Sequence, residues 1–218
     1  MNSAETDERR TWALDVGDTH PASHGPIALD LRITAAGDVS VGDAVGSVEV
    51  ITFAETVIQP IHRGVEKLFE SRDYRQALML ADRHDWHSAL GSELGLALTL
   101  ESMLGITVPE RANWLRTLLS ELSRAIHHLR WLGETAAVVG PDLAVAQAAR
   151  AARERLIDLS EQATGGRLHP MVVAPGGLRS DINDEWLEAL TATATTVRIV
   201  AADLARWADG TPDLVGVG

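Results

Sequence analysis

The stretch from Ile61 to Leu90, IHRGVEKLFESRDYRQALMLADRHDWHSAL, is where the chain changes its period. Up to Pro60 apolar residues alternate with polar ones, the spacing of half-buried strands. Beyond it they recur every three or four residues, the spacing of helices. The stretch carries two charged knots: His62-Arg63-Gly64 with Glu66 and Lys67, and Asp82-Arg83-His84-Asp85-Trp86-His87. The helical span between them has an apolar face that would bring both knots under common packing. This is where function is expected.

Upstream, residues 1–18 read as a flexible polar tail. His20-Pro21 and Gly25-Pro26 punctuate a loop, and Ile27, Leu29, Leu31 and Ile33 then alternate as a strand. Gly37-Asp38 is expected to turn a hairpin into Val39, Val41 and the apolar run Val45 to Phe53. About three antiparallel strands result.

Downstream, Leu68, Ala77, Leu78, Leu80 and Ala81 mark a first helical region. Leu90, Leu94, Ala97, Leu98, Glu101 and Leu104 mark a second, closed by Gly105. Pro109-Glu110 opens a long helix with the stripe Trp114, Leu115, Leu118, Leu122, Ile126, Leu129 and Leu132, ending near Gly140-Pro141. Another helix runs from about Leu143 to Ala163, and its alanine-rich part, Ala144 to Ala152, reads as a close-packed face. After a Pro- and Gly-rich loop, Asp181 or Asp184 is expected to cap a last helix through about Trp207. The fold class is therefore α+β, mainly α. A sheet over about 19–55 precedes a bundle of long helices over about 58–208, in one domain spanning 19–218.

Composition narrows the function. Nineteen basic against thirty-one acidic residues give a formal charge of −12, which repels phosphate backbones, so nucleic acid is not an expected partner. The chain has no cysteine, which excludes disulfides, thiolate nucleophiles and cysteine-held zinc or iron–sulfur clusters. No run approaches the roughly eighteen uninterrupted apolar residues of a membrane-spanning helix. The polar amino terminus lacks the apolar core of a signal peptide and points to the cytoplasm. No phosphate-cradling glycine loop and no G-x-S-x-G elbow is present.

Several side-chain sets can carry chemistry. His20 and His24 lie four apart in one loop and can converge on a point, where an imidazole delivers a proton near neutral pH; alternatively one bonds the loop backbone and the other is solvated. Arg63 sets a permanent charge beside Gly64, which allows close approach of a ligand or backbone, while Glu66 and Lys67 read as an ordinary surface pair. Asp82, Asp85, His84, His87 and Trp86 can line a proton-exchanging pocket. His84 and His87 with an aspartate would suit a metal, but a third and fourth ligand are lacking. His127 and His128 point about 100° apart on one helix, so one is expected buried and satisfied.

Six segments in order carry a resemblance: HPASHG from His20, HRGVEKL from His62, YRQAL from Tyr74 with DRHDW from Asp82, LGITVPERA from Leu104, HLRWLG from His128, and GRLH from Gly166 with Pro175-Gly176-Gly177. Together they resemble the D-type subunit of NADH:quinone oxidoreductase, the 49-kDa-type subunit of respiratory complex I that is related to the nickel–iron hydrogenase large subunit. The resemblance implies the N-terminal half of the hydrogenase-like fold. It also implies a peripheral position on the cytoplasmic side of the membrane, and a quinone cavity formed with a B-type iron–sulfur protein among other complex I subunits. Quinone would be the substrate. NAD and the iron–sulfur cluster would belong to partner subunits, and no cofactor to this chain alone.

By the same resemblance His24 approaches the quinone carbonyl as the catalytic residue, Trp86 and Asp85 line the quinone site, Arg63 and Arg83 lie near the iron–sulfur partner, and His169 belongs to a structural loop. Trp86 stands where the family has a tyrosine, which replaces a phenol by an indole that is no practical proton source. Val138 stands where the family has an aspartate behind the histidine. The chain is about half the family's length. These departures suit an alternative, a shortened and catalytically impaired paralogue that acts as a structural or binding subunit. A metal-dependent hydrolase or hydrogenase-like metal protein is a third reading.

Overall fold

The computed structural model describes residues 10–15, 28–41, 44–57, 62–140 and 142–214. They fall into two compact units, 1–63 and 64–218.

The first unit is a three-stranded antiparallel sheet in the order β1 (Arg10–Asp15), β2 (Ala28–Val41), β3 (Ala44–Val57). Residues 10–15 correct the expectation of a tail over 1–18. The backbone of β1 pairs with β2 in unbroken antiparallel register, from Arg10 opposite Ile33 to Asp15 opposite Ala28. The hairpin turn expected at Gly37-Asp38 is absent. Val39 and Val41 continue β2, and Val41 pairs with Ala44. The register instead jumps between Ala35 and Asp38, so the glycine marks a bulge within the ladder. A second jump follows Arg32, where the Thr52 hydroxyl donates to the Arg32 carbonyl at 3.2 Å.

The second unit is mainly helical, with six helices among the described residues. The first helical region is two helices, α1 (Val65–Ser71) and α2 (Tyr74–His84). Asp73 separates them because its carboxylate accepts from Gln76 N–H while Gln76 reaches back, a capping box that starts a new helix. Gly64 enters α1 with φ +61°, and a Cβ there would meet nothing within 4 Å. Its glycine therefore serves the left-handed backbone. Lys67 pairs at 2.9 Å with Glu70, across an exposed turn.

A short 3-10 turn, Trp86–Ser88, leads to α3 (Ala89–Leu104), followed by α4 (Glu110–Val138) and α5 (Leu143–Thr164). The strands β4 (Val173–Ala174) and β5 (Gly177–Leu178) form a small hairpin before α6 (Asp184–Asp209). Asn183, not Asp181 or Asp184, caps α6 by accepting from Trp186 N–H at 2.9 Å. Asp181 is committed elsewhere, to Arg111 and to Ile182 N–H.

Leu90, Ala97, Leu100, Leu115, Leu119, Leu122, Ile126 and Leu129 meet Leu156, Ile157, Leu159 and Leu204 in one core. Each fully buried leucine contributes roughly 1.5–3 kcal/mol of transfer free energy. On the α4 stripe Trp114 proves 68% exposed and Leu119 takes its place inside. The alanine run of α5 is a close-packed face: Ala146, Ala149 and Ala152 are buried, and a Cβ on Gly133 of α4 would lie 3.1 Å from that of Ala149. Small residues on both helices let the two backbones approach.

Candidate functional site

The second charged knot ends α2, and its first member is its deepest. Asp82 has no solvent exposure, and Glu93, one turn into α3, has 1%. The loop after α5 closes over both. His169 Nδ1 lies 2.7 Å from Asp82 Oδ2, and Val173 N–H donates to Glu93 Oε2 at 3.0 Å. Burial first, and then the hydrogen bond shared with Asp82, push the Glu93 carboxyl up to about 8. Arg83 is largely outside. It reaches Asp82 Oδ2 at 3.4 Å and donates to the Met79 carbonyl at 3.1 Å.

Two turns farther along α3, Glu101 meets Arg116 of α4 in a buried fork with contacts of 2.6 and 3.1 Å. The same guanidinium donates to the carbonyls of Ala174 and Gly177, at 2.8 and 2.9 Å, and Gly176 N–H donates to Glu101 at 2.8 Å. The Pro-Gly-Gly turn is thus anchored to an ion pair inside the bundle. Arg116 holds the Glu101 carboxyl below its usual range, against the effect of burial.

A third cluster lies where the 3-10 turn meets α4. Asp85 accepts from His87 N–H at 3.1 Å and so caps the turn that carries Trp86. The Arg130 guanidinium sits 4.5 Å from the Trp86 ring centroid and contacts His87 Nε2. The His87 and His127 rings are 5.9 Å apart. His127 is pushed down to about 4, by burial first and then by the charges of Arg153 and Arg130. Its ring is buried, as expected for one of the two adjacent histidines. Its Nδ1, however, has no protein hydrogen-bond partner, so it is not satisfied in the way the sequence leads one to expect. It lines a cavity of about 30 Å³ with Ser123, Arg153 and Ser160, water-sized by volume.

His20 and His24 lie outside the described residues. Arg63 is exposed in the first unit. Asp82, Arg83, Asp85 and Trp86 are brought to one end of α2, with His169 over the first of them. Val138, at the end of α4, is 62% exposed. His84 is exposed, and no group of three or more His, Asp or Glu able to hold a metal occurs among the described residues.

Sequence reasoning misses Glu93, Arg116 and Arg130. A signal exists for the first: Glu93, Ala97 and Glu101 repeat every four residues among leucines, so two acids lie on an apolar face.

Residues 142–211 match the family model of the respiratory-chain NADH dehydrogenase 49 Kd subunit. The chain is 44% identical over 191 residues to the NADH-quinone oxidoreductase D 2 subunit of Streptomyces griseus, a match covering 88% of this chain and 45% of that one. The chain is a homologue of that D-type subunit.

The D 1 subunit of Streptomyces coelicolor is 43% identical over 88% of this chain and 46% of its own length. The D-type subunit of Ruthia magnifica is 37% identical over 84% of this chain and 40% of its own. The chain thus spans about half the length of the curated D-type relatives it matches. No helix among its described residues is long and apolar enough to cross a membrane.

Proposed function

We propose that this chain is the D-type component of an NADH:quinone oxidoreductase or a related membrane-associated redox complex, forming part of a quinone-binding site with an iron–sulfur subunit. The observation that carries this reading is the 44% identity to a D-type subunit over 88% of the chain. Its fold would correspond to the N-terminal half of the hydrogenase-like large subunit, set peripherally on the cytoplasmic side of the membrane.

In this reading His24 delivers a proton to the quinone carbonyl, and Asp85 and Trp86 form the wall of the headgroup site. The partly buried Trp86 ring supports a wall role, because Arg130 4.5 Å from its centroid and the His87 ring edge-on at 4.0 Å fix the aromatic plate in place. Arg63 and Arg83 set fixed positive charge toward the iron–sulfur partner. NAD and the cluster belong to partner subunits, which suits a chain with no cysteine to ligate iron.

One observation favours the second reading, a structural or binding subunit without turnover. Trp86 offers an N–H where the resemblance calls for a phenol, and its ring is engaged by Arg130. The two readings share assembly and differ in turnover. Co-expression with a B-type iron–sulfur protein tests assembly. Co-purification that Arg63→Glu weakens is expected from both, and failure of the native chain to co-purify contradicts both.

A further inference from the structure

We propose that Asp82 and Glu93 form a buried site for a single proton, and that His169 is the group through which this proton exchanges with solvent. The side chains involved all lie within the helical unit, and the proton site is independent of the quinone reading.

The geometry defines one vacancy for a hydrogen. Both carboxyl groups are removed from water, at 0% and 1% exposure. The outer oxygen of each has a protein contact. Asp82 Oδ2 meets His169 Nδ1 at 2.7 Å and Arg83 at 3.4 Å, and Glu93 Oε2 accepts from Val173 N–H. Asp82 Oδ1 and Glu93 Oε1 are also buried, and neither has a protein donor; His169 Nδ1 is likewise without a hydrogen bond, close to Asp82 Oδ2 but not aligned with it. Two such acceptors cannot satisfy each other as a dianion. One proton satisfies both, with the O–H of Glu93 donating to Asp82.

Among the described residues, few charged groups face the pair. From α2 come Asp82 itself and the partly exposed Arg83, and from the loop after α5 comes His169. The β4 strand contributes the Val173 backbone N–H and no charged side chain. Farther along α3, Glu101 is already closed by Arg116. The upward shift of Glu93 agrees with a proton held there at neutral pH.

His169 is the way out because its side chain is 35% exposed while its Nδ1 touches Asp82. On release, the Glu93 O–H breaks and its proton passes to Asp82. The Asp82 O–H then breaks as its proton bonds to the bare Nδ1 of His169 in its Nε2–H tautomer, and the resulting imidazolium loses its Nε2 proton to water. Uptake runs in reverse. The covering loop is under local strain: Met171 has φ 44°, a left-handed conformation that side chains disfavour, while Val172 and Val173 beside it are buried.

Infrared spectroscopy of the full chain tests the site. A protonated carboxyl C=O band is expected at neutral pH and should vanish as pH rises through about 8. Glu93→Gln copies the neutral side chain, so it should fold normally and lack the band. Asp82→Asn should shift the titration downward, and His169→Gln should slow hydrogen–deuterium exchange of the band about tenfold or more. A native chain without the band, or a band that persists in Glu93→Gln, overturns the shared proton. Exchange unaltered by His169→Gln overturns the role given to that histidine.

Discussion

Arg116 on α4 closes a two-pronged ion pair on Glu101 of α3, and both side chains are almost wholly excluded from water, at 2% and 6% exposure. Because the guanidinium also holds two carbonyls of the Pro-Gly-Gly hairpin, its removal strands a carboxylate and unties a turn. Arg116→Met is expected to cost about 3–5 kcal/mol, the range for an uncompensated buried charge. Urea unfolding measures it, and the double variant Arg116→Met with Glu101→Leu should recover most of the loss. The folded-state pKa of Glu101 is depressed, so its contribution is present above the unfolded value and lost as pH falls through the folded one.

Glu93 has the opposite sign. Its folded value of about 8 exceeds the unfolded 4.5, so the folded chain binds more protons between them. Its contribution is complete below pH 4.5 and is lost as pH rises through about 8. This one group gives a slope of up to about 1.4 kcal/mol per pH unit in that window. Chemical denaturation from pH 5 upward should therefore show a flatter profile in Glu93→Gln than in the native chain.

His127 acts on the acid side. Held near 4 against an ordinary 6.5, it binds fewer protons folded than unfolded, so stability falls as pH drops from 6.5 to about 4. His127→Leu should remove that part of the decline. Thermal melts at pH 7 and pH 5 measure it, and the gap between the two temperatures should narrow in the variant.

Trp86 and Arg130 are coupled through the ring face. A double-mutant cycle with Trp86→Leu and Arg130→Met should return about 0.5–1 kcal/mol of coupling, as expected for a half-buried cation over an aromatic ring. Additive single effects would mean that the stacking contributes nothing to stability.

The helices are legible in the sequence where local rules decide them. Pro109 opening α4, Gly105 closing α3 and the alanine face of α5 can all be read from spacing and caps. The N-terminal strand cannot, because Thr11 to Asp15 is short and polar-flanked and becomes a strand only by pairing with β2. The Gly37 bulge reads as a turn for a similar reason, since register depends on the partner strand. Within the site, the charge density of residues 82–87 is evident in sequence. That Asp82 pairs with Glu93 and His169 is not, because those contacts join residues 11 and 87 positions away through packing of α2, α3 and a loop.

The quinone-site role is tested most directly by NADH-driven quinone reduction in membranes carrying the assembled complex, with the native chain against His24→Ala at equal assembly. The rate should fall by about a hundredfold, the usual scale for removing a general acid. An unchanged rate in fully assembled complex would contradict the catalytic role and leave this chain as a structural subunit.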